Sequence, residues 1–450
     1  MMTSQSQIQE IFPLASMQQF ILNTTLYTKS GLSFQQQYSY YLEGNVNPEL
    51  CRKAWEILVM RYPALRTSIH YEGTSQPFQV VHTSADLPFT FRDLVSIPEK
   101  QRDDAVLSWL REDEHIPFNL QRPPLLRIFL HRIKKDLFIL TLTLNHMIFD
   151  GWSLGVAFRD FATIYAELEN GKTPDTTSQP SMRNYVSWFR KRDKSKDIAW
   201  WKEHLSDAVM SRLPFMDMPD KLEPVDADQI YHLVISEKET EALEESAKSM
   251  GITLNVLFQG AWALILSRLS PERKALILTL AASRPVEIPG IDQVFGLMLD
   301  HIPYNINCQG DQSVSKWLKE IRALQLESLE HQYVSIQEIG KFGKNSNIFP
   351  YNSYLVFENM DTGEGKHDDN LFNIRAAYMN SNISFPLTMM VFPSTSLRVA
   401  IIYSLKFFTH KKIITFSERL KNTLTVLAHH PNLTLDQISE RADLSEVNLI

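Results

Sequence analysis

Cysteine is scarce in this chain: two residues, Cys51 and Cys308, among 450. Thiols so far apart in sequence suit neither a disulfide framework nor a paired zinc site, so a reducing compartment is expected. A basic surplus is missing as well. Lysine and arginine number 45 against 52 aspartates and glutamates, a net charge of −7, so no broad basic face is available for nucleic acid. The densest basic run, FRKRDKSKD at Phe189–Asp197, is broken by acids and reads as a solvated helix end. Long apolar runs are lacking too. VLFQGAWALIL, residues 256–266, is too short to span a bilayer. The N-terminal MMTSQSQIQEIFPL has no cationic start and no long apolar core, so no signal peptide is expected. These absences point to a cytoplasmic protein with neither a membrane nor a nucleic acid as partner, and a monomer is expected.

What is present is an ordinary globular composition, 44% hydrophobic, 22% charged and 11% aromatic, which suffices for a sizeable core. The length suits two or three domain-sized units, or one two-lobed body. In the first half, MQQFILNTTLY (Met17–Tyr27) has helical spacing and QQQYSYYLEG (Gln35–Gly44) reads as a strand. NPELCRKAWEILVMRYP predicts a helix with Leu50, Ala54, Leu58 and Met60 on or near one face. PLLRIFLHRI and DLFILTLTL predict an antiparallel pair around the charged KKD turn. From Ser153 the period becomes helical, with Leu154, Ala157, Phe158, Phe161, Tyr165 and Leu168 recurring at three and four. Ser153 can cap the start of that helix and Gly171 its end.

GKTPDTTSQPS (Gly171–Ser181) reads as a linker, and MDMPDKLEPVDAD (Met216–Asp228) as a second. Between and after them the order of elements repeats: strand YHLVIS, helix EKETEALEESAKSMG, helix TLNVLFQGAWALILSRL, strand ALILTLAAS, and a closing helix near ERLKNTLTVLAHH. This predicts two α/β lobes, residues 1–180 and 181–450. DTGEGKHDDN (Asp361–Asn370) reads as a mobile surface loop by composition.

The stretch LTLTLNHMIFDGWSLGVAFRDF (Leu140–Phe161) concentrates the chemistry, and three readings of it stand side by side. GWSLG fits the Gly-x-Ser-x-Gly elbow of serine hydrolases, although NHMIFD separates it from the strand. Alternatively His146 is a hydrogen-bonded core residue and Asp150–Gly151 a plain turn before a helix. In the third reading His146 is a general base at a sheet rim, titrating near neutrality. Asp150 would then fix the loop through a salt bridge, and the Gly151 N–H, near a helix start, would hold a developing oxyanion.

LNHMIFDGWSL resembles the His-His-x-x-x-Asp-Gly motif of the condensation domains of nonribosomal peptide synthetases, within the chloramphenicol-acetyltransferase-like superfamily. FPLASMQQFIL (Phe12–Leu22) resembles the family's opening motif and RYPALRTSI (Arg61–Ile69) its Arg-His-x-x-Leu-Arg-Thr motif. NYVSW (Asn184–Trp188) and the Trp200–Trp201 pair resemble the segment after the first lobe. AASRPVEIPGIDQVFGLMLDHIP (Ala281–Pro303) and HQYVSIQEI (His331–Ile339) resemble later motifs, all in the family's order.

Two positions depart from the pattern. Asn145 replaces the first histidine, while the second, catalytic in the family, is kept as His146. Asp300 stands where the family usually has Asn, and an acid there could select a cationic acceptor or alter a hydrogen bond. Heterocyclisation domains carry an aspartate-rich motif that this chain lacks. Epimerisation domains need a second catalytic acid in a segment that here reads AASRPVE, with Glu287 in the wrong pattern. Recruitment-type domains corrupt the Asp-Gly end, which is intact here.

The resemblance implies an α/β fold of two acetyltransferase-like lobes in a V-shaped pseudo-dimer with a central tunnel. It implies amide formation between a carrier-bound acyl or peptidyl thioester and an amine, with His146 taking the amine proton or holding the amine. Asp150 would be buried and paired with Arg66 or, second, with Arg284. Asn145 would hold the loop in place of the missing histidine, and Ser153, Trp152 and Asp300 would stand near the tunnel or the acceptor. No bound metal or organic cofactor is implied; substrates arrive on the phosphopantetheine arms of donor and acceptor carrier proteins, or the acceptor is a free amine. The chain would be a stand-alone or excised domain. A non-catalytic carrier-binding module and an ester-forming acyltransferase are the alternatives.

Overall fold

The computed structural model describes residues 7–29, 31–216, 229–343, 353–358, 372–381 and 385–445. The expected surface loop Asp361–Asn370, and all but Met216 of the second expected linker, lie outside the described residues. The chain begins with β1 (Ile8–Pro13), α1 (Ser16–Thr28), β2 (Gln35–Gly44), α2 (Pro48–Arg61), β3 (Thr67–His70), β4 (Phe78–His82), β5 (Phe89–Asp93), α3 (Glu99–Glu114), β6 (Leu126–Lys134), β7 (Leu137–Asn145), α4 (Gly151–Glu169) and α5 (Arg183–Lys191). It continues with α6 (Ser195–His204), β8 (Gln229–Val234), α7 (Glu237–Met250), α8 (Leu254–Ser267), β9 (Lys274–Ala282), β10 (Leu299–Asn307), α9 (Val314–Glu330), α10 (Ile336–Ile339), β11 (Ser353–Phe357), β12 (Phe372–Ser381), β13 (Leu387–Phe392), β14 (Arg398–Tyr403), α11 (His410–His429) and α12 (Leu435–Arg441).

These elements divide into two compact units, neither continuous in sequence. The first comprises residues 1–192, 284–298 and 360–382; the second comprises 193–283, 299–359 and 383–450. A single cut at residue 180 therefore has to be corrected. The polar stretch 171–181, expected as a linker, is instead tied into the first unit. Gln179 N–H donates to the Arg61 carbonyl, Ser178 accepts from Arg66, and Ser181 donates to Glu10. Composition alone cannot distinguish a linker from a surface segment whose polar groups are so engaged.

Among the described residues the first unit holds a five-stranded sheet in the order β12-β2-β7-β6-β5 and a three-stranded sheet β1-β4-β3. β6 and β7 pair antiparallel, as the alternation around KKD predicts. α2 starts at an Asn47 cap that accepts from Glu49 and Leu50 N–H, with Pro48 where a missing N–H costs nothing. α2 buries Cys51, Ala54, Trp55, Leu58 and Val59, but Met60 is 45% exposed. At 100° per residue Met60 lies some 200° around the helix from Leu58, so the expected face was one residue too wide. α4 buries Leu154, Ala157, Phe158, Phe161 and Tyr165, with Phe161 stacked on Trp55 at 5.4 Å.

Among the described residues the second unit is built on a six-stranded sheet, β10-β9-β11-β13-β14-β8, in which β11 is parallel to β9 and β13. Its central helix is α8, buried from Val256 through Ser267 on every face. The apolar run VLFQGAWALIL is therefore a core helix. Gly260 lets α9 approach closely: a Cβ there would stand 2.4 Å from the Leu318 side chain. Among the described residues no single helix is long and apolar enough to cross a membrane.

Candidate active site

The candidate site grows from the end of β7. Its residues Phe138 to Asn145 are all buried, and Asn145 lies opposite Gln35 in β2. The strand stops because the backbone turns through a short 3-10 segment, His146–Ile148. The Asn145 side-chain oxygen accepts from Met147 N–H at 3.1 Å, and His146 N–H donates to the Phe34 carbonyl at 2.9 Å. An asparagine in this role makes the side-chain-to-backbone turn for which that residue is suited.

The His146 side chain is partly exposed, and its Nδ1 lies 2.8 Å from the Phe149 carbonyl. A carbonyl only accepts, so Nδ1 carries the proton and the Nε2 lone pair is left available in the neutral ring. Burial pulls the His146 pKa below its ordinary value; the Phe149 carbonyl and the Asp150 charge oppose that shift. The imidazole is thereby kept neutral and oriented near neutral pH, as a proton acceptor requires.

Asp150 is the hub. It is 1% exposed, and one nitrogen of Arg284, Nη2, donates to both of its carboxylate oxygens at 2.8 Å. Oδ1 also accepts from Ser153 N–H at 2.8 Å and from the Ser153 hydroxyl at 2.6 Å, while Oδ2 accepts from Met298 N–H at 3.1 Å. Arg284 Nη1 reaches the carbonyls of Ile291 and Val294 at 3.3 and 3.1 Å. The Ser153 hydroxyl oxygen in turn accepts from Gly296 N–H at 3.0 Å. Gly296 leaves room for Met182, whose sulfur would stand 2.3 Å from a Cβ placed there and would have to move. Segment 284–298 is thus clamped around the start of α4, all within the first unit.

This arrangement corrects three expectations. Asp150 pairs with Arg284 and not with Arg66. The Arg66 guanidinium is taken up by the carbonyls of Val59, Met60 and His82 and by Gln9 and Ser178, leaving it no free donor to spend on Asp150. The N-cap of α4 is Asp150, and Ser153 is the third helical residue whose N–H is capped. Ser153 is fully buried against Asp150 and Gly296, so it lines no acceptor channel, and a nucleophile elbow, which must expose its serine, does not form.

Other expected residues are placed as follows. Gly151 opens α4, so its N–H belongs to the unsatisfied first turn of that helix. Trp152 is 52% exposed, donates to the Asp292 carbonyl at 2.8 Å and lies over the Arg284 guanidinium, 5.7 Å from it. Asp300 belongs to the second unit, on β10. It is 3% exposed, its Oδ2 has no hydrogen-bond partner among the described residues, and burial pushes its pKa up to about 7 against the pull of Ser283. Among the described residues no group of three or more His, Cys, Asp or Glu is arranged to hold a metal ion.

What the sequence reading missed is backbone: the Phe149 carbonyl, the Met298 N–H and both polar groups of Gly296. Such groups carry no residue signature, and only the glycine itself marks the close approach.

The condensation-domain family model matches residues 8–449. A linear gramicidin synthase of Brevibacillus parabrevis is 26% identical over 448 residues, covering 98% of this chain and 6% of that protein. Gramicidin S synthase 2 of Aneurinibacillus migulanus is 25% identical over 441 residues, 96% of this chain and 10% of its own length. The chain therefore spans 6% and 10% of these two relatives' own length. Among solved structures, the first condensation domain of the calcium-dependent antibiotic synthetase, in complex with substrate analogue 3a, aligns with a TM-score of 0.80 at 14% identity, covering 95% of this chain and 98% of that one. The X-domain from teicoplanin biosynthesis aligns with a TM-score of 0.77 at 19% identity, covering 95% and 97%. At those identities the structures speak for the fold, and the family match speaks for descent. The chain belongs to the condensation-domain family.

Proposed function

We propose that this chain catalyses amide bond formation, joining an acyl or peptidyl thioester carried on a phosphopantetheine arm to an amine acceptor. The observation that carries the reading is the state of His146: one nitrogen committed to the Phe149 carbonyl, the other left as a lone pair. The acceptor amine attacks the thioester carbonyl, and His146 Nε2 takes the proton that the amine must lose. The Gly151 N–H at the start of α4 stabilises the tetrahedral oxyanion. As the intermediate collapses the C–S bond breaks, and the departing thiolate takes the proton back from the imidazolium. Asp150 and Arg284 act on none of these atoms; they hold the turn that aims His146. Carrier proteins, or a free amine on the acceptor side, are the partners this chemistry requires.

The test is product formation by mass spectrometry, using an acyl thioester on a phosphopantetheine arm and a panel of amines. Wild type is expected to form amide. His146→Ala is expected to lose on the order of 10²-fold in kcat, the low end of general-base contributions, with folding intact, while Ser153→Ala keeps its chemistry if it folds. A wild-type protein that binds loaded carrier but forms no amide with any donor would sink the reading.

A further inference from the structure

The turn bearing His146 is held at its start by Asn145 and at its end by Asp150. Its middle is held from elsewhere. The Met147 carbonyl, one peptide past the histidine, accepts from the side-chain amide of Gln18 on α1 at 2.9 Å. Gln18 is 1% exposed, and every polar position of its amide is used. Its nitrogen gives its second hydrogen to Gln79 Oε1 at 3.3 Å. Its oxygen accepts from Gln79 Nε2 at 2.9 Å and from the Ala15 N–H that opens α1 at 2.9 Å. Gln79, on β4 and 2% exposed, spends its other hydrogen on the Pro13 carbonyl at 3.1 Å.

The orientation of this amide couple follows from its partners. Met147 and Pro13 offer carbonyls, which only accept, and Ala15 offers an N–H, which only donates. Each glutamine can therefore sit only one way round, and neither amide can flip without leaving a buried group unpaired, at the cost such groups carry. A carboxylate at residue 18 would present an acceptor to the Met147 carbonyl and to Gln79 Oε1 in the same volume.

We infer that Gln18, locked by Gln79, is a positioning residue for His146, fixing the Met147 peptide plane and with it the direction of Nε2. The inference rests on the proposed amide-forming role of His146. Misplacing a reacting group by about 1 Å can cost on the order of 10²-fold in rate, so an effect of about 10-fold or more on kcat is expected from losing the anchor.

The experiment is a kinetic cycle on the full chain: wild type, Gln18→Glu, His146→Ala, and the double variant, each checked for folding by near-ultraviolet circular dichroism. The expected result is a kcat at least about 10-fold lower in Gln18→Glu with KM for the donor unchanged. In the His146→Ala background the same change should then cost nothing further, because Gln18 acts only through the histidine. An undiminished rate, or a full additional loss without His146, overturns the inference. Should Gln18→Glu fail to fold, Gln18→Leu takes its place in the cycle, since it removes the donor to the Met147 carbonyl without adding a charge. Should wild type form no amide, the functional reading falls separately. The positioning claim is then read from the ring nitrogen shifts of His146 in histidine-labelled protein: altered shifts in Gln18→Glu support it, and identical shifts overturn it.

Discussion

At the scale of single residues, the state of His146 and the anchoring of Asp150 yield separate predictions. His146 has to be neutral to accept a proton, and its burial lowers its pKa, so the neutral form persists below the usual histidine range. The rate at saturating substrates should therefore be flat above pH 7 and fall only once the pH drops below about 6.5, the ordinary histidine value. A profile that is still rising well above neutrality would exclude His146 as the group responsible. The Asp150–Arg284 pair is a matter of stability. Both side chains are buried, at 1% and 8% exposure, and the guanidinium serves two carboxylate oxygens and two carbonyls at once. A lysine ammonium is a point donor and cannot span that set. Arg284→Lys should lower the unfolding free energy by about 3 kcal/mol, as breaking a buried pair does, measured by urea titration. A loss within error would mean that the pair can be replaced by water.

At the scale of elements, the packing of α3 on the outer strands contains a titratable weak point. His131 on β6 is fully buried, neither ring nitrogen has a partner among the described residues, and its ring stacks 5.5 Å from that of Trp109 on α3. The Arg92 guanidinium lies over the same indole ring at 4.1 Å. Burial pushes the His131 pKa down to about 4, with Arg92 pushing the same way. The unfolded chain, with an ordinary histidine near 6.5, then binds the extra proton first, so stability is complete above about 6.5 and is lost as the pH falls toward 4. The shift corresponds to at most about 3 kcal/mol. Urea unfolding at pH 7, 6, 5 and 4 should show this slope in wild type and a flatter one in His131→Phe. Equal slopes would assign the acid sensitivity to other groups.

Most of these elements were legible in the sequence: β6 and β7 as apolar runs on either side of the KKD turn, and α4 by its period of 3.6. The ends were less so: Asp150 and Ser153 are both good caps, and only the observed hydrogen bonds decide that the aspartate takes the N-cap position. The histidine turn was found from its polar residues. Its supports at Gln18 and at the Met298 N–H were not, since they lie about 130 and 150 positions away and no local pattern ties them to it.

At the scale of the whole molecule, the chain does not cut cleanly where its composition changes. The first unit needs residues 284–298 and 360–382 from the second half of the sequence. Two of its features depend on them directly. Asp150, buried within the first 192 residues, takes its counter-charge from Arg284 and a further N–H from Met298. The strand β2 pairs along its outer side with β12 over nine residue pairs, from Phe372 opposite Gly44 to Ser381 opposite Gln36. A fragment of residues 1–192 would thus carry an uncompensated buried carboxylate and an open edge strand, both of which favour unfolding or association. Such a fragment is expected to lack a cooperative urea transition and to aggregate. Adding Asp150→Asn should not rescue it, because neutralising the carboxylate leaves the β2 edge unpaired. If the fragment instead unfolds cooperatively as a monomer, the sheet β2-β7-β6-β5 is self-sufficient, and the returning segments complete the active-site turn without being needed for the fold.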